Sequence, residues 1–145
     1  MISPMPDRFR ILLVEDEPAD AFLVQEAFRE NRILVDFHHA IDGVEALEFL
    51  RHQGAHAAAP RPDLILLDLN MPRMDGRQFL GEMKKDDALA SIPVVILTTS
   101  DAERDTLAAY RLGASGYIVK PVEIEQFIST IKVLGDYWFS IVRLP

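Results

Sequence analysis

Four aliphatic residues in succession, Leu64-Ile65-Leu66-Leu67, lead directly into Asp68-Leu69-Asn70-Met71-Pro72 and then Asp75-Gly76. A run that is apolar on both faces and closed by turn-forming residues describes a strand buried on both sides, as in the interior of parallel sheets. Such a strand needs helices above and below it, so this one stretch already restricts the chain to α/β layering. An unpaired buried charge costs several kcal/mol, which predicts that Asp68 emerges at the carboxyl end of the strand. In open α/β sheets that rim is where ligands bind. The plainer alternative is that Asp68 only caps the turn that follows.

The rest of the chain repeats the pattern. Phe9 to Val14 is a second compact apolar run, followed at once by Glu15-Asp16-Glu17 and by Pro18, which ends the strand. From Asp20 a helical pattern sets Leu23, Val24, Ala27 and Phe28 on one face and ends near Asn31. Leu34 to Ala40 reads as strand two, and Asp42-Gly43 turns the chain into a helix with Val44, Leu47 and Leu50 spaced for burial. The stretch from His52 to Pro62 is an irregular spacer. After the central strand, Gly76 to Lys85 is a helix that buries Phe79, Leu80 and Met83. Pro93 then opens Val94-Val95-Ile96-Leu97, which ends in Thr98-Thr99-Ser100-Asp101. A fourth helix over about 102–112 stops at Gly113, and Gly116 to Val119 is the fifth strand before Lys120-Pro121. A final helix begins near Glu123 and keeps helical apolar spacing as far as Ile141. Strict alternation with right-handed crossovers predicts a doubly wound (βα)5 fold of flavodoxin-like type, its five-stranded parallel sheet in the order 2-1-3-4-5.

Size and composition narrow the function. The 145 residues suit one domain over 9–135, with a loose lead-in at 1–8 and an extension of the last helix and tail at 136–145. The absence of cysteine excludes disulfides, thiolate nucleophiles and zinc–sulfur sites. No apolar stretch has signal-peptide or membrane-spanning length, so the expectation is a soluble cytoplasmic protein. A net charge of −8 repels nucleic acid unless basic residues gather on one face, and they do not.

Polar groups stand at four strand ends: Glu15 and Asp16, Asp68, Thr98, and Lys120. In the order 2-1-3-4-5 the first and third strands are neighbours, so Asp16 and Asp68 face each other. Carboxylates about 4 Å apart repel by roughly 4 kcal/mol at an effective dielectric of about 20, and Glu15 adds a third. An oxygen-only set favours Mg²⁺, with the Asn70 carbonyl as a further ligand. The cation would leave Asp68 ionised and able to attack phosphorus, while Lys120 and the Thr98 hydroxyl hold the other phosphoryl oxygens. The product is an aspartyl phosphate on Asp68.

Val14 to Glu17, Leu66 to Pro72 with Asp75-Gly76, Pro93 to Thr98, and Gly113 to Tyr117 with Lys120-Pro121 together resemble the receiver domain of two-component response regulators. The resemblance runs from about Arg10 to Ile131. It implies phosphorylation of Asp68 by a histidine kinase or phosphotransfer protein, and service of Mg²⁺ by Glu15, Asp16, Asp68 and the Asn70 carbonyl. It also implies that Thr98 and Tyr117 form the switch pair, and that the chain is a signalling phosphoacceptor rather than an enzyme with its own turnover. Val14 to Asp20 and the Ala/Pro spacer before strand three further resemble the stand-alone regulators that partner phytochrome histidine kinases, which implies a bacteriophytochrome partner. Phosphate on Asp68 is expected to draw Thr98 inward, let Tyr117 follow, and reshape a binding surface.

Tyr110, Tyr137, Trp138, Phe139 and the tail Ile141 to Leu144 form an odd apolar group, and a homodimer through the fourth helix, fifth strand and final helix is expected, with Tyr110, Tyr117, Trp138, Phe139 and Ile141 at its interface. Three rivals fare worse. A flavodoxin-like flavin carrier needs a phosphate-binding loop after strand one, where this chain has three acids. A phosphatase of the haloacid dehalogenase type needs a second Asp two residues after the first, where this chain has Asn70. An unphosphorylated receiver-like scaffold or dimerisation module would be expected to lack an acid or the lysine.

Overall fold

The computed structural model describes residues 9–33, 35–69, 71, 73–98, 111, 113–120 and 122–134, with the side chains of 98 and 132–134 outside the description. Five strands form one sheet: β1 (Phe9–Val14), β2 (Val35–Ala40), β3 (Leu64–Asp68), β4 (Val94–Thr98) and β5 (Gly116–Val119). Their order is β2-β1-β3-β4-β5 and every pairing is parallel, as the sequence predicts.

Alternation along β3 sorts its side chains between two cores. Ile65 and Leu67 join Leu12, Val14, Val94 and Ile96 on one face, while Leu64 and Leu66 join Ile11, Leu13, Val95 and Leu97 on the other. Each fully buried aliphatic side chain contributes about 1.5–3 kcal/mol, so the two layers supply most of the driving force. Helices α2 (Gly43–Leu50) and α3 (Gly76–Lys85) cover the first face, and α1 (Pro18–Glu30) with the final helix (Ile124–Leu134) covers the second.

Local chemistry sets the helix starts. Asp75 accepts from the Gln78 amide at 2.9 Å while its own amide donates to the Gln78 side chain at 3.1 Å, so a complete capping box opens α3. Asp42 accepts from the Glu45 amide at 2.9 Å at the start of α2. Pro18 is the first residue of α1, two positions earlier than the sequence pattern places the start, because proline's missing amide costs nothing in a first turn. The buried face of α1 is Ala21, Val24 and Phe28, whereas Leu23 is 53 % exposed and Phe22 61 % exposed. Leu23 was expected inside; the helix is rotated toward Ala21, whose small side chain permits close approach to the sheet. The 52–62 spacer holds a short 3₁₀ turn at Gly54–His56. The expected fourth helix, Arg111 apart, and the tail beyond 134 lie outside the described residues.

Candidate functional site

Register builds the site. Val14 pairs with both Ala40 and Leu67, so the next residues on the two central strands, Glu15 and Asp68, leave the sheet at the same height. Glu15 is held by its amide, which donates to the Ala40 carbonyl at 2.9 Å, and by its carbonyl, 2.6 Å from His39 Nε2. Oxygens of Glu15, Asp16 and Asp68 all lie within 4.8 Å of one another; Glu15 and Asp68 are buried and Asp16 is exposed. Carboxylates this close repel unless positive charge sits among them.

One lysine answers for them. Lys120, one residue past β5, has a side chain only 8 % exposed; its Nζ contacts Glu15 Oε1 closely, Asp20 Oδ2 at 3.1 Å and Asp68 Oδ2 at 3.7 Å. Despite its burial, these acids hold the ammonium above the ordinary lysine range, so it stays charged. Among the described residues, Lys120 supplies the one positive charge at these acids, and it does not balance three carboxylates. Burial, reinforced by the Asp68 charge and opposed by Lys120, pushes the Glu15 carboxyl up to about 7. A proton on Glu15 would offset part of this negative charge, and so would a bound cation. The cluster's all-oxygen donors suit a hard divalent ion of the Mg²⁺ class.

Of the residues singled out from the sequence, Glu15, Asp16, Asp68 and Lys120 come together here. Thr98 ends β4 beside Val119, its side chain outside the description. Tyr117 is half-buried against the α2–α3 face. Asn70, Tyr110, Trp138, Phe139 and Ile141 lie outside the described residues.

The structure adds four residues that spacing did not reveal. Asp20 reaches Lys120, and His39 supports Glu15. Asp42 is 1 % exposed and pairs with Arg73 of the β3–α3 loop, Nε to Oδ2 at 2.5 Å. Asp42 was legible as a helix cap, but its partner stands thirty-one residues away and no local pattern points to it. Two surface clefts, one beside α1 and β2 and one between α2 and α3, are lined by none of the clustered acids.

Residues 11–132 match the response regulator receiver domain. The chain is 42 % identical over 135 residues to the response regulator Rcp1 of Synechocystis sp., covering 93 % of this chain and 92 % of that protein. The Mn²⁺-bound form of Rcp1 superposes with a TM-score of 0.73 at 42 % identity, over 94 % of this chain and 98 % of that one. The bacteriophytochrome response regulator AtBRR gives a TM-score of 0.82 at 40 % identity, over 90 % and 94 % of the two chains. The phosphorylated cyanobacterial phytochrome response regulator RcpA gives 0.76 at 42 %, over 96 % and 99 %.

Proposed function

This chain belongs to the response regulator receiver-domain family, and on that premise we propose that Asp68 accepts a phosphoryl group from a histidine kinase or phosphotransfer protein in a Mg²⁺-dependent reaction. The observation that carries the reading is the crowding of Glu15, Asp16 and Asp68 around the Lys120 ammonium at the carboxyl edge of the sheet. Glu15, Asp16, Asp68 and the Asn70 carbonyl would hold the cation. When bound, it neutralises the acids and the incoming phosphoryl oxygens.

An Asp68 carboxylate oxygen attacks phosphorus, the phosphorus–nitrogen bond to the donor histidine breaks, and the imidazole leaves with the bonding pair. Lys120, kept charged by its acidic neighbours, takes a phosphoryl oxygen from the position where it now neighbours Asp68. Thr98 holds another and moves toward it; Tyr117 follows, and the altered surface is what a partner protein reads. The kinship with AtBRR and RcpA supports a bacteriophytochrome-type kinase as the donor. A homodimer using Tyr110, Tyr117, Trp138, Phe139 and Ile141, and a cytoplasmic location, complete the reading; among the described residues no helix is long and apolar enough to cross a membrane.

The test is phosphoryl labelling from acetyl phosphate or a donor kinase, followed by mass spectrometry. Wild-type protein should carry one phosphoryl group and Asp68→Asn none. Label retained in Asp68→Asn rejects Asp68 as the acceptor.

A further inference from the structure

We propose that the short segment after β2, residues 39–43, is a bracket that positions the acid cluster, with Asp42 and Arg73 as its latch. The two are positioning residues for cation binding and phosphoryl transfer at Asp68, so the inference rests on the function proposed above.

The clustered acids stand in the β1–α1 loop and at the end of β3, and this one segment holds both that loop and the loop that follows β3. Toward the β1–α1 loop, Ala40 accepts from the Glu15 amide at 2.9 Å and His39 Nε2 donates to the Glu15 carbonyl at 2.6 Å. Toward the β3–α3 loop, the Gly43 amide donates to the Met74 carbonyl at 3.1 Å and Asp42 Oδ2 accepts from Arg73 Nε at 2.5 Å. The approach is close: a Cβ on Gly43 would lie 2.8 Å from both Cγ and the carbonyl oxygen of Met74.

Asp42 divides its two oxygens between two tasks. Oδ1 caps α2 through the Glu45 amide, which any good capping residue would do. Oδ2 is left for a different loop, and it is met by the guanidinium of Arg73, whose side chain is otherwise 57 % exposed. Arg73 has φ +61°, the left-handed region that a non-glycine residue keeps only where its surroundings hold it. The burial of Asp42 pushes its carboxyl up, but Arg73 and the Glu45 and Val44 amides outweigh this and hold it below the ordinary aspartate range, so the latch is closed at neutral pH.

The loop beyond the latch seats on Asp68 itself. The Gly76 amide donates to the Leu69 carbonyl at 2.9 Å, and a Cβ on Gly76 would lie 2.5 Å from the Asp68 carbonyl oxygen. The chain after the acceptor is thus pinned at Arg73–Met74 and again at Gly76, while the same bracket fixes Glu15. Releasing the latch frees one side of the cluster to move relative to the other. Carboxylate sites lose affinity and rate steeply with such loosening.

The experiment measures Mg²⁺ affinity by backbone-amide NMR titration of residues 15, 16, 68 and 69. It adds the rate of acetyl-phosphate labelling at saturating Mg²⁺, and thermal unfolding in chelator. Arg73→Ala and Asp42→Asn should each weaken Mg²⁺ binding by about tenfold, the low end for groups that orient metal ligands. Asn retains the capping oxygen, which separates the latch from the cap. The double variant should be no worse than either single one, and Arg73→Lys should recover only part, since an ammonium lacks the guanidinium's planar fork. Affinity unchanged in Arg73→Ala while wild type binds Mg²⁺ overturns the latch alone. So does a lowered melting temperature with no change in affinity, or losses that add in the double variant. Wild-type protein that binds no Mg²⁺ overturns the proposed function, and the latch with it.

Discussion

Asp42 and Glu15 are both buried carboxylates at the carboxyl end of neighbouring strands, and their ionisation is pushed in opposite directions. Asp42 has a cation of its own in Arg73 and two backbone amides, and its carboxyl is held below the ordinary range although burial opposes this. Glu15 shares Lys120 with Asp68 and Asp20, and burial together with the Asp68 charge raises it to about 7. Burial acts on both in the same sense, so the balance of nearby donors, cations and acids decides the outcome. The Asp42 pair is complete within the chain and does structural work. Among the described residues the strand-end cluster is short of positive charge, which is a poor arrangement for stability and a good one for recruiting a cation.

The largest effect that would sharpen this contrast is on metal binding. Removing an acid from the deficient cluster, Asp16→Ala, should weaken Mg²⁺ binding by about 100-fold in calorimetric titration, since even groups that merely orient ligands cost 10–100-fold. Asp42→Asn should cost about a tenth of that. Equal losses would erase the distinction between the two sites.

Stability of the metal-free protein should move in opposite directions. Asp42→Ala should destabilise by about 1–2 kcal/mol in urea unfolding, through loss of the helix cap. Asp68→Asn should stabilise by about 1 kcal/mol, because it relieves repulsion between neighbouring acids that Lys120 only partly offsets. A destabilised Asp68→Asn would mean that the cluster is already balanced.

The smallest effect is the pH dependence. A carboxyl held low in the fold contributes stability that is present above the unfolded aspartate value and lost as pH falls through its folded one. The Asp42 contribution therefore disappears on the acid side, and Asp42→Asn should flatten that limb. A carboxyl raised from 4.5 to about 7 behaves oppositely: its contribution is full below 4.5 and is lost as pH rises to about 7. Unfolding in chelator should show stability declining over that window, with a shallower decline in Asp68→Asn.

The sheet was legible because its information is local. The run Leu64 to Leu67 needs no partner to be read as a buried strand, and β3 is buried along its whole length. The acids at the strand ends were legible for a related reason: topology alone brings residues one step past paired positions to the same height. The contacts that cross between loops were not. Nothing near Arg73 in sequence says that its backbone is left-handed or that it reaches Asp42. Asp20 reads as a first-turn acid of α1, and its contact with Lys120, a hundred residues on, depends on the closed sheet. Leu23 was misplaced because helical spacing alone permits two overlapping apolar stripes on α1, and packing against the sheet selects the one containing Ala21.

The most direct measurement is carboxyl-carbon NMR of the wild-type protein during Mg²⁺ titration, which observes both acidic sites at once. Resonances of Glu15, Asp16 and Asp68 should shift in a saturable way while that of Asp42 stays in place. No response at the three clustered acids, or an equal response at Asp42, would contradict the claim that, among the described residues, the strand-end acids are short of positive charge and Asp42 is not.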